Sequence, residues 1–290
     1  MNIERKYKSG ILAIVIVVVI WGYLTSNDKK GIVYANTDKQ IIAITREKGS
    51  GTRSAFIDLT GLESRTIWGE LVDTTAEEIA VAGSTQEMIR QIELLENGIG
   101  YVSMGALDIE KEQIKVLRIN DKEATNENIT LGTYNLVRPL NLVYSGELSE
   151  LEKDFLSYLK SKGQGIITKT YYIPVRNEGI YLKKDVKGTI IVNGSSSMGP
   201  LMTKLAKAYM NENPDIIVQV KMTDSEDGVH SVLQGESSFG MVSRNLHGYE
   251  AKLLTKETIA RDGIAVIVNS KSKIENITIN QLRKIYKKKL

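Results

Sequence analysis

The chain has 290 residues, 42% of them hydrophobic and 25% charged, which is the composition of a folded protein large enough for two lobes. Its 38 Lys and Arg residues against 35 Asp and Glu residues give a net charge of +3, which is too small and too dispersed to indicate a nucleic-acid partner. Cysteine is absent, and His230 and His247 lie in no zinc-binding spacing, so we expect neither a metal nor another cofactor.

The N-terminus predicts a membrane segment. Three basic residues among the first eight precede an uninterrupted apolar run over residues 11–24. This run is shorter than the roughly 20 residues of a full span, as in a cleaved signal, but no small-residue cleavage site follows it, so we favour an uncleaved anchor. The positive-inside rule places the tip of segment 1–26 in the cytoplasm and the chain beyond the polar linker 27–38 outside it. Cleavage of the segment would make the protein secreted.

Two α/β units follow the linker. In the first, a buried strand over residues 41–45 runs through a glycine-rich loop into a helix over residues 54–62. A second helix begins at Ser84 or Thr85, and the short apolar strands GIGYVSM and KVLRI close the unit.

The second unit repeats this order. A strand over residues 189–193 leads through a serine-rich turn into a helix over residues 200–211, and the strand IIVQVKM and a capped helix in DSEDGVHSVLQGE follow. Both units close on a Gly-x-x-Ser segment, GYVS at 100–103 and GMVS at 240–243. Two similar units that each offer helix N-termini imply an α/β fold of two lobes with a cleft between them.

The loop REKGSGT, residues 46–52, has the composition of an anion site at a helix N-terminus. The first turn of a helix leaves backbone N–H groups unpaired and carries partial positive charge. Gly49 and Gly51 allow the backbone to approach a ligand, and Ser50 and Thr52 add hydroxyl donors. Arg46 offers a planar fork that can bind two oxygens at once.

A second serine-rich loop, GSSSMGP at residues 194–200, occupies the equivalent place in the second unit. Taken alone it is ambiguous, since Ser195 can simply be the N-cap of the following helix. Its recurrence in a duplicated pattern favours one anion site shared by the two loops.

Five separated segments resemble the phosphate-binding protein of the phosphate ABC importer, a type II periplasmic binding protein: REKGSGTRSAF, IIVNGSSSMGPLMTKLAKAY, SSFGMVSRNL, RDGIAVIVNS and ITINQLRKIY. The resemblance covers nearly all of the chain from about residue 39. It implies a Venus-flytrap fold with two α/β lobes and a two-strand hinge, in which dehydrated phosphate is held in the closed cleft and delivered to a membrane permease.

The segments stand in a permuted order, because family members begin with the part that comes second here. The resemblance therefore implies a circularly permuted fold. One lobe is formed by residues 39–140 and completed by about 271–290, and the other is formed by residues 141–270. The hinge strands are expected near 138–146 and 262–270. We favour completion of the lobes within one chain, and exchange between two chains is the alternative.

Carried over by motif, the resemblance implies eight phosphate-binding residues and no catalytic residue. They lie in the two serine-rich loops, in DSEDG and in GMVS, and are Arg46, Ser50, Gly51, Thr52, Ser196, Ser197, Ser225 and Ser243. Glu226 and Asp227 crowd the turn that holds Ser225, which departs from the pattern of the family.

Some family members carry an aspartate at position 243, which accepts a hydrogen bond from protonated phosphate and repels sulfate. Ser243 can donate or accept, so the sequence does not separate phosphate from a related tetrahedral oxyanion. Asp224, Glu226 or Asp227 is a candidate acceptor, with the alternative that these are carboxylates favoured by a helix start. Arg244 either adds a second guanidinium or pairs with a surface acid.

The sequence thus predicts a membrane-anchored, extracytoplasmic phosphate-binding protein that captures phosphate by lobe closure and passes it to an ABC permease. The alternative is an anchored signalling or structural protein that uses the lobe angle, with or without a ligand, to engage a membrane partner. An enzyme is disfavoured, because serine-rich loops without a histidine base or metal ligands lack an activated nucleophile.

Overall fold

The computed structural model of the protein describes residues 41–67, 71–107 and 113–287. Within this part of the chain the fold is mixed α/β, as the sequence predicts. The strands are β1 (Ile42–Arg46), β2 (Glu63–Arg65), β3 (Leu71–Asp73), β4 (Ala80–Ala82), β5 (Gly98–Ser103), β6 (Ile114–Val116), β7 (Arg118–Ile119), β8 (Val137–Tyr144), β9 (Ile173–Pro174), β10 (Gly188–Ser195), β11 (Ile216–Thr223), β12 (Phe239–Val242), β13 (Thr255–Asn269) and β14 (Asn276–Ile277). The helices are α1 (Gly51–Thr60), α2 (Thr85–Leu94), α3 (Asn126–Thr130), α4 (Glu150–Lys160), α5 (Lys162–Ile167), α6 (Gly199–Glu212), α7 (Ser225–Leu233), α8 (Glu250–Leu253) and α9 (Ile279–Tyr286), together with a 3₁₀ turn at Met104–Ala106.

Ten of these strands form one sheet, in the order β11-β10-β12-β8-β13-β5-β1-β4, with β6 and β9 pairing with β13 outside this order. β1 is parallel to β4 and β5, and β10 is parallel to β11 and β12, since helices lie between these strands along the chain. β8 and β13 are antiparallel to each other and to their neighbours. They therefore join two parallel half-sheets.

A hydrophobic core surrounds each half-sheet. The first core gathers buried residues of β1, β5, α1, α2 and the second half of β13, and the C-terminal helix α9 adds Leu282 and Tyr286 to it. The Tyr286 hydroxyl lies 3.1 Å from the carbonyl oxygens of both Ile44 and Ile99. The last described helix is therefore packed against β1, whose Ile44 lies 242 positions earlier in the sequence than Tyr286.

The second core gathers β8, β10, β12, α4 and α6. Phe155 of α4 packs edge-on against Tyr209 of α6, with ring centroids 5.0 Å apart. α4 was not predicted from the sequence, although Ser149 and Glu152 form a capping box at its start, which is a recognisable helix signal.

The first helix of each unit starts differently from the prediction. α1 begins at Gly51, earlier than residue 54, because the Ser50 side chain accepts a hydrogen bond from the Arg53 N–H at 3.3 Å and caps the helix there. Ser195 is the last residue of β10 and precedes the turn that leads into α6. The interpretation of Ser195 as an N-cap is therefore wrong, and its hydroxyl is available to neighbouring side chains.

In the described ranges, none of the helices combines the length and the apolar character needed to cross a membrane. The predicted membrane segment over residues 11–24 and the linker 27–38 lie outside the described residues.

Candidate functional site

The loops that follow the parallel strands meet between the two cores. β1, β4, β10 and β11 each lead into the N-terminus of a helix, namely α1, α2, α6 and α7. Ligands of open α/β sheets bind beyond the carboxyl ends of the strands, where such helix starts lie. The Glu226 N–H at the start of α7 donates to the Gly49 carbonyl oxygen at 3.3 Å, so the loop after β1 contacts the loop after β11.

Arg46, the last residue of β1, is a buried arginine in this region, with 1% of its surface exposed. Its Nε and Nη2 atoms donate to the two carboxylate oxygens of Glu47 at 2.7 and 2.6 Å, a bidentate pairing. Its Nη1 atom donates to Thr85 Oγ1 at 3.1 Å, and Nη2 also donates to Ser196 Oγ at 3.3 Å. Arg46 therefore joins hydroxyls of both units.

Arg53 of α1 holds the end of β1 in place. Its Nη1 atom donates to the Arg46 carbonyl oxygen at 2.7 Å and to Thr45 Oγ1 at 3.2 Å. Its Nε and Nη2 atoms bind Asp73 Oδ2 at 3.1 and 2.7 Å. Burial alone would raise the pKa of Asp73, but hydrogen bonds from Thr75 and Arg53 lower the pKa below its ordinary value, so the carboxylate is charged at neutral pH.

Arg138 of β8 is a second buried arginine in the region and is also 1% exposed. Its Nε and Nη2 atoms donate to Asp262 Oδ2 at 3.0 and 2.8 Å. Its Nη1 atom lies 2.7 Å from Thr52 Oγ1 and 3.1 Å from Ser243 Oγ. Arg138 therefore contacts two residues that the sequence analysis placed in the phosphate site.

Arg138 and Asp262 are directly opposite each other in the β8/β13 ladder, where the chain passes from one core to the other. Burial raises the pKa of Asp262, against the opposing effects of the Arg138 charge and of a hydrogen bond from the Gly105 N–H at 3.2 Å. Burial likewise lowers the pKa of Arg138, and Asp262 opposes that change. Each charge stabilises the other, so removal of one partner would leave an uncompensated buried charge.

Four buried serines from three loops are linked beside these arginines. Ser195 Oγ lies 2.9 Å from Ser197 Oγ and donates to Ser243 Oγ at 2.8 Å. The Ser243 N–H donates to Ser225 Oγ at 3.1 Å, and the Ser225 and Ser243 hydroxyl oxygens are 3.5 Å apart. The ends of β10, β11 and β12 are thus connected by hydroxyl groups.

Gly51 lies where the first unit meets these serines. A Cβ atom at this position would come within 2.2 Å of Ser225 Oγ and 2.6 Å of Ser243 Oγ. Real side chains do not make such contacts, so only glycine permits this approach of the loops.

All eight residues predicted to bind phosphate lie in this region and are buried: Arg46, Ser50, Gly51, Thr52, Ser196, Ser197, Ser225 and Ser243. Arg138, Asp262 and Thr85 were not predicted from the sequence. Thr85 follows the N-cap Ser84 and so resembles an ordinary helix start. The sequence signal for the other two is weak, since Arg138 is the one charged residue of β8 but Asp262 is one of four charged residues in β13.

The neighbouring charges have partners outside the hydroxyl cluster. Arg244 binds the fully buried Glu250 at 2.6 and 2.7 Å, so it pairs with an acid in the protein interior, and the second guanidinium near the serines is that of Arg138. Asp224 is the N-cap of α7 and accepts a hydrogen bond from the Asp227 N–H at 2.9 Å. The interpretation of Asp224 as a helix-start carboxylate therefore fits its contacts.

The chemistry of this region suits an oxyanion. Two guanidinium groups donate hydrogen bonds only: each is paired on one side with a carboxylate, Glu47 or Asp262, and directs its Nη1 atom to the hydroxyls. Helix N-termini add backbone N–H groups and partial positive charge. The surrounding hydroxyls are buried, so hydrogen bonds formed there are protected from competition with water.

The fold is that of a solute-binding protein. A family model described as "PBP superfamily domain" matches residues 21–162 and 182–290, so the chain belongs to this superfamily.

Similar proteins narrow the assignment. "Phosphate-binding protein PstS 2" of Streptococcus agalactiae is 40% identical over 246 residues, covering 84% of this chain and 83% of the relative. The protein of the same name from Streptococcus pneumoniae is 33% identical over 287 residues, covering 98% and 97%. A crystal structure of a phosphate ABC transporter phosphate-binding protein from S. pneumoniae is 36% identical, with a TM-score of 0.66 and coverage of 85% of this chain and 95% of that chain. The chain belongs to the family of these phosphate-binding proteins.

Proposed function

We propose that the protein binds inorganic phosphate between its two cores and delivers it to an ABC permease in the membrane. This proposal is based on the hydrogen bonds that Arg46 and Arg138 donate to buried hydroxyl groups of both units. The relatives described above are phosphate-binding proteins, and the chain is accordingly a binding protein and not an enzyme.

The eight motif residues and the two missed groups, Arg138 and Thr85, form the proposed site. Arg46 and Thr85 belong to the first unit, whereas Ser196, Ser225 and Ser243 belong to the second, so an anion held among them bridges the two. A bound anion would favour the closed arrangement because it contacts both sides only there.

We assign one lobe to residues 39–140 and 271–290 and the other to residues 141–270. The two hydrophobic cores support this division, since α9 contributes Leu282 and Tyr286 to the first core. The paired strands β8 and β13 connect the cores and serve as the hinge, near residues 138–146 and 262–270.

The order of the two parts is that of a circular permutant completed within one chain. The packing of α9 against β1 and β5 in a single chain supports intramolecular completion. The alignment with the S. pneumoniae relative spans 98% of this chain and 97% of that one, which indicates that both chains share this order.

Residues 11–24 anchor the protein in the cell membrane, with the binding lobes outside the cytoplasm. The basic cluster before an apolar run supports this placement through the positive-inside rule. Protease treatment of intact cells should digest the lobes, while mass determination of the membrane-extracted chain should show an intact N-terminus. A mature chain that lacks residues 1–26 would instead show cleavage and secretion.

Calorimetric titration of the full chain, purified in detergent and freed of bound anion, tests the proposed function. One-to-one binding of phosphate is the expected result. If phosphate and sulfate both fail to bind, the phosphate assignment is wrong, and the signalling or structural alternative becomes the better interpretation.

A further inference from the structure

Tyr172 lies beside one of the two serine-rich loops, immediately before β9. It is 1% exposed, and its hydroxyl donates to the Ser197 carbonyl oxygen at 2.8 Å. Ser197 belongs to residues 196–198, the serine turn, which connects β10 to α6. Tyr172 therefore bonds to the backbone of a loop that is proposed to bind the anion.

Two further contacts hold Tyr172 in place. Ile173 pairs with Arg261 in the β9/β13 ladder, so the backbone next to Tyr172 is attached to the strand that carries Asp262. The ring of Tyr172 lies against Gly105, where an added Cβ atom would come within 2.3 Å of it. The tyrosine is therefore fixed both at its backbone and along one face of its ring.

Gly105 connects this tyrosine with the buried ion pair. Its N–H donates to Asp262 Oδ1 at 3.2 Å, and Asp262 Oδ2 accepts from Arg138 at 3.0 and 2.8 Å. Tyr172 thus contacts the residue that binds Asp262 with its ring, and the serine turn with its hydroxyl. The serine turn and the Arg138–Asp262 pair are therefore connected through one side chain.

The bond from Tyr172 fixes one peptide group of the serine turn. The Ser197 carbonyl oxygen accepts from the Tyr172 hydroxyl. On the other side of the same planar group, the Met198 N–H donates to the Ser195 carbonyl oxygen at 3.0 Å, so the peptide is held at both ends. Burial raises the pKa of the Tyr172 hydroxyl, and the charge of Asp262 raises it further, so the hydroxyl keeps its hydrogen at neutral pH and remains a donor.

We infer that Tyr172 is a positioning residue, which holds the serine turn in a fixed place relative to Arg138 and so prepares the site for the anion. This inference rests on the proposed function of the site. Tyr172 acts through the turn and not by contact with the anion, because the hydrogen of its hydroxyl is used in the bond to Ser197. A turn that is already ordered loses less conformational entropy when the anion binds, so the Tyr172 hydroxyl should raise the affinity without adding a contact.

Tyr172→Phe tests this inference, because it removes the hydroxyl and keeps the ring. The matched control is Tyr134→Phe: Tyr134 is also 1% exposed, and its hydroxyl donates to the carbonyl oxygen of Ile264 at 2.7 Å within the first core. Each substitution thus removes one buried hydrogen bond from a tyrosine to the backbone, but Tyr134 does not bond to the serine turn. A third variant, Tyr172→para-aminophenylalanine, restores a hydrogen-bond donor at the same place on the ring.

Calorimetric titration with inorganic phosphate measures the affinity of each full-length protein, and urea unfolding without anion measures its stability. We expect Tyr172→Phe to bind phosphate roughly tenfold more weakly than the wild type, since a buried carbonyl of the turn loses its donor. Tyr134→Phe should keep the wild-type affinity, although both variants should unfold at a lower urea concentration than the wild type. The para-amino variant should recover most of the lost affinity.

Unchanged phosphate affinity of Tyr172→Phe would overturn the inference and leave the proposed function intact. Equal losses of affinity in Tyr172→Phe and Tyr134→Phe, or a Tyr172→Phe protein that does not fold, would show that Tyr172 supports the fold in general and does not position the turn. The same conclusion follows if the para-amino variant binds phosphate as weakly as Tyr172→Phe. Failure of the wild type to bind phosphate is a different outcome, because it overturns the proposed function together with the inference.

Discussion

Arg46 Nη2 lies 3.3 Å from Ser196 Oγ, although 150 residues separate them in the sequence. Arg46 ends a strand of the first half-sheet, and Ser196 follows a strand of the second. Together with the bond between Gly49 and Glu226, this contact shows that the two cores are closed against each other at the candidate site. Substitutions at this junction should therefore affect binding more than they affect the stability of either core.

Replacement of Arg46 by alanine should weaken phosphate binding by well over tenfold. Removal of one partner of a buried, charged hydrogen bond costs roughly 2–5 kcal/mol, much of it from groups left unpaired. Arg46→Lys should bind with intermediate affinity, since it keeps the charge and loses the bidentate pairing with Glu47 that holds the side chain in place. Calorimetric titration measures both. Lys48→Ala is the control for general electrostatic attraction, because Lys48 lies in the same loop but is exposed. If Arg46→Ala binds phosphate with unchanged affinity, Arg46 is not part of the site.

Replacement of Gly51 by alanine should impair closure. The added Cβ atom would meet Ser225 Oγ at 2.2 Å and Ser243 Oγ at 2.6 Å, and relief of overpacking of this kind costs on the order of 1–3 kcal/mol. Phosphate affinity should fall, and small-angle scattering with phosphate present should show a larger radius of gyration than for the wild type. Gly165→Ala, where a Cβ atom meets nothing within 4 Å, should leave both unchanged. Equal affinities for the two variants would contradict the close approach of the loops.

Glu250 should make stability depend on acid pH. Burial would raise its pKa, but hydrogen bonds from Arg244 and the His247 N–H and the charge of Arg244 lower the pKa below its ordinary value. The stabilisation is therefore fully present above the unfolded-state pKa of about 4.3 and is lost as the pH falls through the lower folded-state pKa.

Glu250→Gln should reduce the free energy of unfolding at neutral pH and flatten its decline below about pH 4.3. Urea unfolding monitored by circular dichroism at several pH values measures this. The free energy of unfolding of the variant should still decline somewhat as the pH falls, because Asp73 also has a lowered pKa. If the free energy of unfolding falls with pH by the same amount in wild type and variant, the pKa of Glu250 is not lowered.

Replacement of Leu282 by alanine should destabilise the first lobe by about 2–5 kcal/mol, because the side chain is fully buried in the first core. If α9 completes that core within the same chain, the unfolding midpoint should be independent of protein concentration in both wild type and variant. Thermal melts over a hundredfold range of concentration test this. A midpoint that rises with concentration would indicate exchange of the C-terminal part between chains.

The sequence reveals most of the site because its parts are local. Helix starts, the small residues of REKGSGT and the serines of GSSSMGP are contiguous patterns, and their loops meet as the duplicated strand order predicts. The structure confirms the mixed α/β fold predicted from these motifs, and the matches to the superfamily model and to phosphate-binding relatives confirm the family.

Arg138 and Asp262 could not be found in this way. Their role depends on the register that places them opposite each other across β8 and β13, although they are 124 positions apart in the sequence. A sequence pattern gives the strand in which each lies but not its partner. Thr85 was missed for a related reason: its contact with Arg46 depends on the pairing of β1 with β4, which brings α2 to the end of β1.

The position of Arg138 on one of the two connecting strands has a consequence for the order of events in capture. If β8 and β13 act as the proposed hinge, rotation of one core about them would separate Arg46 from Ser196 but would leave the Arg138–Asp262 pair close to the axis. An anion entering an open cleft would thus find one guanidinium already in its final position. The remaining donors would reach it only as the lobes close, so initial encounter and final retention depend on different arginines.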